Sequence, residues 1–277
     1  MQEKKNLSLP FVGDGLLNSF AAMAKRGKKK QQIRNWIVLV AVAGAVALFG
    51  WLWWLQQRAA VIRYEEIGIS IPAGYGIHGI DVSKYQRRIN WKEVKAMNVE
   101  GLKLDFVFIK ATEGTNSRDA QFDRNWRKSR QVGLVRGAYH YFIPTRSAVE
   151  QAAFFLKQVE LKPGDLPPVL DVEQHNGLPV SVLRQRVREW LQVVQQACGA
   201  KPILYTNVHF YEQYLGSDFD IYPLWIAHYL QPEAPRTRRK WVFWQHSEKG
   251  RVNGIDGLVD YNLYRSDSAS FVQLLLK

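Results

Sequence analysis

The sequence predicts an α/β protein: an irregular, TIM-like (β/α) barrel of about eight strands, preceded by one N-terminal transmembrane helix. Three observations predict this fold. A 20-residue run, 36–55, carries no charged side chain. From residue 77 onward, short β-branched or aromatic runs alternate with segments of helical period, which is typical of a parallel sheet with helical crossovers. After Pro223 the spacing between runs shortens, so the last strands lack room for full helices.

The uncharged run reads WIVLVAVAGAVALFGWLWWL. As a helix rising about 1.5 Å per residue it spans roughly 30 Å, the thickness of a bilayer core. Tryptophans lie at both ends, as in the aromatic belts of membrane proteins. A cleaved signal peptide is the alternative. The run exceeds the usual ~7–15 apolar residues of such a peptide and no clear A-x-A site follows, which favours an uncleaved anchor.

The formal net charge of +13 is unevenly distributed along the 277 residues. Residues 1–35 contain eight Lys or Arg and two acidic residues. A basic cluster of this kind can bind nucleic acid. Beside an apolar span it is explained by the positive-inside rule, which places residues 1–35 in the cytoplasm and the rest of the chain outside it. We therefore expect a single-pass membrane protein without a nucleic-acid partner.

The segment that follows the span divides into a stalk, residues 56–76, and a barrel domain, residues 77–277. The stalk ends in the turn-like IPAGYG. Eight candidate strands and four candidate helices fill the domain. The strands are IHGIDVS (77–83), DFVFIKA (105–111), VRGAYHYF (135–142), PPVLDVE (167–173), KPILYTN (201–207), PLWIAHY (223–229), WVFWQHS (241–247) and GLVDYNLY (257–264), and the helices are Trp91–Met97, Ala120–Val132, Ala148–Val159 and Val180–Ala197.

Acidic residues mark four of the predicted strand ends, where such barrels place their chemistry: Asp81, Glu113, the pair Asp171 and Glu173, and Asp260. Asp171 and Glu173 lie one residue apart, so on a strand they face the same side, about 6.5–7 Å apart. That separation is compatible with two acids that flank a glycosidic bond. A solvated or salt-bridged acid pair is the alternative. Asp81 and Asp260, at two other strand ends, favour a functional site, because converging acids raise carboxyl pKa values.

Candidate binding residues lie at the same strand ends. Aromatic faces stack on sugar rings, and the tyrosine hydroxyl can also form hydrogen bonds. Tyr139 and Tyr141 share a strand face and are expected in the cleft, whereas His140 points the other way and is expected to be structural. For Trp225 and Trp244, a core position is the alternative. The full candidate set is Tyr139, Tyr141, Tyr205, Lys110, Glu113, Trp225, Trp244 and Gln245.

Metal and cofactor motifs are not found in the sequence. C-x-x-C and H-E-x-x-H are absent, and the six histidines are scattered. We therefore expect no metal and no cofactor. Cys198 is the single cysteine, so an intrachain disulfide is excluded and the domain must be stabilised by its core.

Seven segments resemble, in the same order, the motifs of glycoside hydrolase family 25, the CH-type lysozymes or N-acetylmuramidases. The resemblance covers about residues 77–264, and it implies a flattened, irregular α/β barrel. It also implies cleavage of the β-1,4 bond between N-acetylmuramic acid and N-acetylglucosamine in peptidoglycan. His246 stands where the family often has an aromatic residue, and Tyr261 is at a variable place. The segments are HGIDVSKYQ, FVFIKATEG, GLVRGAYHYF, PPVLDVE, PILYTN, LWIAHY and WQHSEKGRVNGIDGLVDYN.

The resemblance implies that Glu173 is the catalytic acid and Asp171 its partner, with Asp81 and Asp260 as the other acids of the cleft. Two routes stay open: a retaining one that uses the acetamide of the sugar as nucleophile, and an inverting one that activates water. The expected partner is the peptidoglycan glycan strand, and the expected location is the bacterial inner membrane with a periplasmic domain.

Two other functions remain as alternatives. A catalytically inactive peptidoglycan-binding module could use the same fold, but both acids of the D-x-E motif are present. A metal-assisted deacetylase would need a histidine-rich ligand set near an acid pair, which the sequence does not offer.

Overall fold

The structure is a computed structural model that describes residues 14–57, 61–229 and 231–277. The chain divides into two units, residues 1–58 and residues 59–277, each described by itself below. The predicted cytoplasmic tail begins in residues 1–13, which lie outside the described residues.

The first unit contains one helix, α1, Asp14–Gln57. Within it, Lys29–Trp54 is long and apolar enough to cross a membrane, by length and composition alone. The apolar side chains of this segment are exposed, as Phe49 at 74% and Trp36 at 68% show. The helix predicted over 36–55 is therefore present, and it also includes the basic cluster from Lys25 to Arg34.

The second unit begins with an antiparallel hairpin, β1 (Val61–Tyr64) and β2 (Ile69–Pro72). Ile69 and Ile71 are buried in the hydrophobic core, and the Ile67 carbonyl accepts a hydrogen bond of 2.9 Å from the Arg251 N–H. The prediction of a stalk over 56–76 is therefore wrong for the hairpin. The alternation of isoleucines along β2 buries one face of the hairpin against the domain.

Eight strands close into a barrel, as predicted. Their order is β3-β11-β10-β9-β8-β7-β6-β4, and the pairing of β3 with β4 closes the ring, while the short β5 extends β4 at its edge. The strands are β3 (His78–Val82), β4 (Phe106–Glu113), β5 (Ser117–Arg118), β6 (Val135–Tyr141), β7 (Val169–Asp171), β8 (Ile203–Asn207), β9 (Leu224–Ala227), β10 (Phe243–Gly250) and β11 (Val259–Tyr264).

Helices follow the early strands at the predicted places. The Ser147 side chain accepts a hydrogen bond from the Glu150 N–H at one helix start, and Gly199, in a left-handed conformation, ends another helix. The helices are α2 (Trp91–Ala96), α3 (Phe122–Gln131), α4 (Ala148–Gln158), α5 (Val180–Cys198), α6 (Val208–Phe210, continuing into a π-helical turn, Tyr211–Leu215) and α7 (Ser268–Leu274), with 3-10 turns at Lys84–Gln86 and Gly216–Phe219.

The last strand departs from the predicted parallel sheet. Strand β11 runs antiparallel to both of its neighbours, β10 and β3. Only residues 251–258 connect β10 to β11. A parallel crossover needs a dozen or more residues, so a connection of this length forces a reversal of direction.

Aromatic side chains fill the barrel at the end where the parallel strands begin. Phe106, Phe108 and Phe243 contact one another with ring centroids 5.1–5.6 Å apart. Glycine is required beside them, since a Cβ at Gly79 would lie 2.5 Å from the Phe106 ring and one at Gly137 would lie 2.6 Å from Phe108. Because this end of the barrel is packed, a site can form only at the opposite end, where the parallel strands have their carboxyl ends.

Candidate active site

A cleft of about 270 Å³ opens at the carboxyl ends of the parallel strands. The reversal of β11 brings its first residues to the same edge, so that Asp260 pairs in register with Asp81 of β3. Twelve residues were predicted for the site, and ten of them line the cleft. These are Asp81, Lys110, Tyr139, Tyr141, Asp171, Glu173, Tyr205, Trp225, Gln245 and Asp260.

Asp81 and Asp260 form the first carboxyl pair. The Asp81 Oδ2 atom accepts hydrogen bonds of 2.8 Å from both Gln245 Nε2 and Asn262 Nδ2. Burial, followed by the charge of Asp260, raises the pKa of Asp81 well above its usual value. Burial also raises the pKa of Asp260 to about 6. Both shifts oppose ionisation, as expected for two buried carboxyl groups that lie close together.

A network of uncharged groups orients the amides around Asp81. The hydroxyls of Tyr205 and Tyr229 each donate to Gln245 Oε1 at 2.8 Å, which leaves the Gln245 NH₂ group directed at Asp81. Trp225 Nε1 donates to Asn262 Oδ1 at 2.7 Å and orients Asn262 in the same manner. Because each amide oxygen has its own donor, the two amides can present only N–H groups to the carboxylate.

Asp171 and Glu173 form the second pair. Strand β7 ends at Asp171, so Glu173 lies in the following loop rather than on the strand, yet both carboxyls line the same cleft. Val172 is fully buried and points away, as the alternation predicted. Asp171 is buried, and its Oδ1 atom has no hydrogen-bond partner. This free acceptor faces no competing donor from the protein.

The pKa values of the second pair are also raised. Burial, and then the charge of Glu173, raises the pKa of Asp171 well above its usual value. Burial of the carboxyl raises the pKa of Glu173, although the residue as a whole is exposed at the mouth of the cleft; the Tyr205 hydroxyl and Lys110 oppose that shift. Burial is therefore the main cause of the raised pKa of Glu173. A carboxyl group with a raised pKa can hold a proton and donate it, which is what general acid catalysis requires.

Lys110 provides the positive charge beside these acids. Its Nζ atom lies 2.7 Å from Glu113 Oε2 and 4.6 Å from the centre of the Tyr141 ring. Gln174 Nε2 donates to the Tyr141 hydroxyl at 3.0 Å, which holds the ring at the rim. Glu113 itself does not line the cleft, so its predicted contact with the substrate is corrected to a contact with Lys110.

The prediction for Trp244 is wrong. Along β10 the side chains alternate, and Gln245 faces the cleft, so Trp244 faces outward and is fully buried in the core. Its ring lies 6.0 Å from those of Tyr75 and Trp241, and its Nε1 atom donates to the His228 carbonyl at 2.8 Å.

His140 is structural, as expected. It is fully buried, its Nδ1 atom lies 2.7 Å from Thr112 Oγ1, and its Nε2 atom lies 3.1 Å from Gln151 Oε1. Burial lowers its pKa to about 4, so the ring is neutral near neutral pH. The His140 ring also stacks on Trp190, one of the tryptophans of the helical layer.

Several site residues were not predicted. Strand alternation could have found Tyr229, two positions beyond the inward-facing Ala227, and Asn262, two positions beyond Asp260. Glu248 follows an irregularity in the pairing of β10 with β11, where alternation fails. The other unpredicted lining residues lie on β3 and the 3-10 turn after it: Val82, Ser83, Tyr85 and Gln86.

Among the described residues, no group of three or more His, Cys, Asp or Glu side chains is arranged to hold a metal ion. The residues of the cleft provide paired carboxyl groups with raised pKa values, and tyrosine hydroxyls and amide groups surround these pairs.

Comparison with known proteins gives a consistent result. The family model for Glycosyl hydrolases family 25 matches residues 80–255. Protein YegX of Escherichia coli strain K12 is 49% identical over 200 residues, which are 72% of this chain and 74% of that protein. Lysozyme M1 of Streptomyces globisporus is 34% identical and covers 72% of this chain and 71% of its own length.

Solved structures share the fold of the second unit. A family 25 glycosyl hydrolase from Bacillus anthracis superposes with a TM-score of 0.67 at 29% identity, covering 73% of this chain and 94% of its own. A bacterial lysozyme from Streptomyces coelicolor gives a TM-score of 0.65 at 32% identity, with coverage of 73% and 97%.

Proposed function

This chain belongs to Glycosyl hydrolases family 25, and from that premise we propose that it is a lysozyme-like N-acetylmuramidase. It cleaves the β-1,4 bond between N-acetylmuramic acid and N-acetylglucosamine in peptidoglycan. The observation that carries the proposal is the convergence of Asp171 and Glu173 with Asp81 and Asp260 in one open cleft. Relatives named lysozyme or muramidase support the same activity.

Glu173 is proposed as the general acid. It lies at the mouth of the cleft with a raised pKa, where it can deliver a proton to the oxygen of the leaving sugar as the glycosidic bond breaks. Asp81 is paired with Asp260 and accepts hydrogen bonds from Gln245 and Asn262, so neither acid is proposed as the proton donor. Both are proposed to hold the sugar through hydrogen bonds.

Asp171 is proposed to act on the acetamide of the substrate. Asp171 lines the cleft, where its carboxyl group can accept a hydrogen bond from the acetamide N–H. That hydrogen bond stabilises ionised Asp171, so the proton of the pair stays on Glu173. The acetamide oxygen then attacks the anomeric carbon, and Asp171 takes the N–H proton to give an oxazoline. Water, deprotonated by Glu173, opens the oxazoline with net retention, whereas in an inverting route a carboxylate would activate water directly.

Release of reduced muramic acid ends tests the activity. The full chain, purified in detergent, is incubated with isolated peptidoglycan, and the fragments are reduced with borohydride and identified by mass spectrometry. We expect the wild type to release them, and Glu173→Gln, which cannot donate the proton, to lose about 10²–10⁴-fold in rate. Glu66→Gln, at an exposed glutamate in the turn of the hairpin, is the matched control and should retain full activity.

Two results would contradict the proposal. Binding to peptidoglycan without release of fragments by the wild type would favour the inactive binding module. Equal cleavage by the wild type and Glu173→Gln would remove Glu173 from the role of acid.

The membrane location is part of the same proposal. Lys29–Trp54 meets the length and composition of a span, and the basic cluster at its N-terminal side supports an N-terminus in the cytoplasm of a bacterium. The catalytic domain would then lie in the periplasm, next to its substrate.

A reporter enzyme that is active only outside the cytoplasm, fused after Lys277, tests this topology. We expect an active fusion that sediments with the inner membrane. An inactive fusion at normal expression would contradict the orientation, and an active but soluble fusion that lacks the N-terminal residues would identify a cleaved signal peptide.

A further inference from the structure

A second cavity lies near the catalytic cleft and carries only positive charge. Its volume is about 520 Å³, and it lies between the segment 88–92 and one face of α3. On α3 the lining positions 124, 128 and 131 follow helical spacing, which places them on one face. The charged lining residues are Arg88, Lys92, Arg124 and Lys128, and none of the other lining residues is acidic.

None of the four cations forms an ion pair with a residue in the part of the chain that the structure describes. No carboxylate lies within 4.0 Å of any of them. The Arg124 Nη1 atom is buried and has no hydrogen-bond partner. Burial, and then the charges of Arg88 and Arg127, lowers the pKa of Arg124. A buried donor without an acceptor, among like charges, is unfavourable until an anion supplies the acceptor.

The walls of this basic cavity are fixed. Trp91 Nε1 donates to Asn125 Oδ1 at 3.1 Å and joins the start of α2 to α3. The Asn90 N–H donates to the Gly254 carbonyl at 2.8 Å, and the preceding residue, Ile89, is fully buried. The wall of the cavity is therefore preformed, so that an anion has to order only the side chains of the cations.

The basic cavity is continuous in sequence with the rim of the cleft. Tyr85 and Gln86 line the cleft, and Arg88 lines the cavity two residues later. Two residues span at most about 7 Å, so the backbone of Arg88 lies close to the rim on which a polymer bound in the cleft would rest. A group attached to that polymer would reach the cavity at a high effective concentration.

We propose that the basic cavity binds a carboxylate of the peptide branches that peptidoglycan carries, while the glycan strand occupies the cleft. The inference rests on the proposed function, because that substrate brings the carboxylate with the sugar. The guanidinium groups of Arg88 and Arg124 suit a carboxylate, since each offers paired N–H donors to its two oxygens. The cavity thus selects glycan strands that still carry their peptides.

Binding to insoluble peptidoglycan tests the site. The full chain carrying Glu173→Gln, which prevents digestion, is sedimented at low ionic strength with peptidoglycan freed of phosphate polymers. One preparation keeps the free carboxylates of its peptides, and in the other a carbodiimide and ammonia have converted these carboxylates to amides, which leaves the cross-links intact. We expect the parent to bind the form with free carboxylates at least about tenfold more tightly, the effect of one charge-assisted hydrogen bond. Adding Arg124→Gln should remove this preference.

The matched control is Lys157→Gln, which removes one exposed cation on α4, away from the basic cavity, and should keep the preference. Lys128→Gln, at an exposed cavity residue, is the second test variant in case Arg124→Gln does not fold. A preference that survives both cavity variants, or a parent that binds both preparations equally, would overturn the site.

Cleavage by the wild type, measured separately on the preparation with free carboxylates, distinguishes the two proposals. Cleavage without a carboxylate preference removes only the anion site. A carboxylate preference that Arg124→Gln abolishes, without cleavage by the wild type, retains the site and removes the hydrolase.

Discussion

At the residue scale, the carboxyls of the cleft combine function with a cost in stability. Asp260 has its pKa raised to about 6 from an ordinary value near 3.8, so the folded state binds its proton more tightly than the unfolded state does. The free energy of unfolding therefore falls as the pH rises from about 4 to about 6, and the loss is complete above that range.

Asp260→Asn tests this balance. We expect the variant to be more stable than the wild type by the order of 1–2 kcal/mol at about pH 7, because it no longer holds a partly buried charge, and nearly unchanged at about pH 4. Its cleavage of peptidoglycan should fall. Urea unfolding at the two pH values measures the effect, and an equal change in stability at both would show that the charge of Asp260 is not its cause.

Single side chains also mark what the sequence could and could not predict. The acids at the strand ends could be predicted, because each follows a short apolar run. The sequence did not indicate which of Trp244 and Gln245 faces inward. Alternation shows that they lie on opposite faces of the strand, but it does not show which face lines the cleft. Glu248 was not predicted, because the pairing of β10 with β11 is irregular around this residue.

At the scale of elements, the hairpin β1–β2 is part of the folded domain. Ile71 is 2% exposed and packs in the core, whereas Ile62 on the opposite strand is 41% exposed. We expect Ile71→Ala to lower the free energy of unfolding by about 2–5 kcal/mol, and Ile62→Ala, the matched control, to change it by less than about 1 kcal/mol. Urea unfolding measures both, and equal effects would mean that the hairpin is a loose linker.

The hairpin and β11 are the elements that sequence reasoning described wrongly, and for different physical reasons. The hairpin consists of two strands of only four residues, and its burial depends on contact with the barrel, which the sequence does not show. The direction of β11 depends on the length of its connection, which excludes a crossover. The eight barrel strands were predicted because their apolar, β-branched and aromatic runs stand out from the helical segments.

At the scale of the whole molecule, the sequence predicts the order of the parts better than their contacts. The apolar helix, the barrel and the cleft follow from periodicity and charge. The basic cavity does not, because Arg88 and Lys92 come from one segment of the chain and Arg124 and Lys128 from another, and only folding brings the four together.

The reversal of β11 also decides where the chain leaves the barrel. Its last residue, Tyr264, packs on Phe271 of α7, which in turn contacts Phe106 and Phe243 at the first residues of β4 and β10. Leu276, in the segment that follows α7, is joined by backbone hydrogen bonds to Gly164 and Asp165, which precede β7. The C-terminus therefore emerges from the closed base. For protein engineering this makes Lys277 a permissive attachment point: an affinity tag or a surface tether fused there points away from the cleft in which the glycan strand lies.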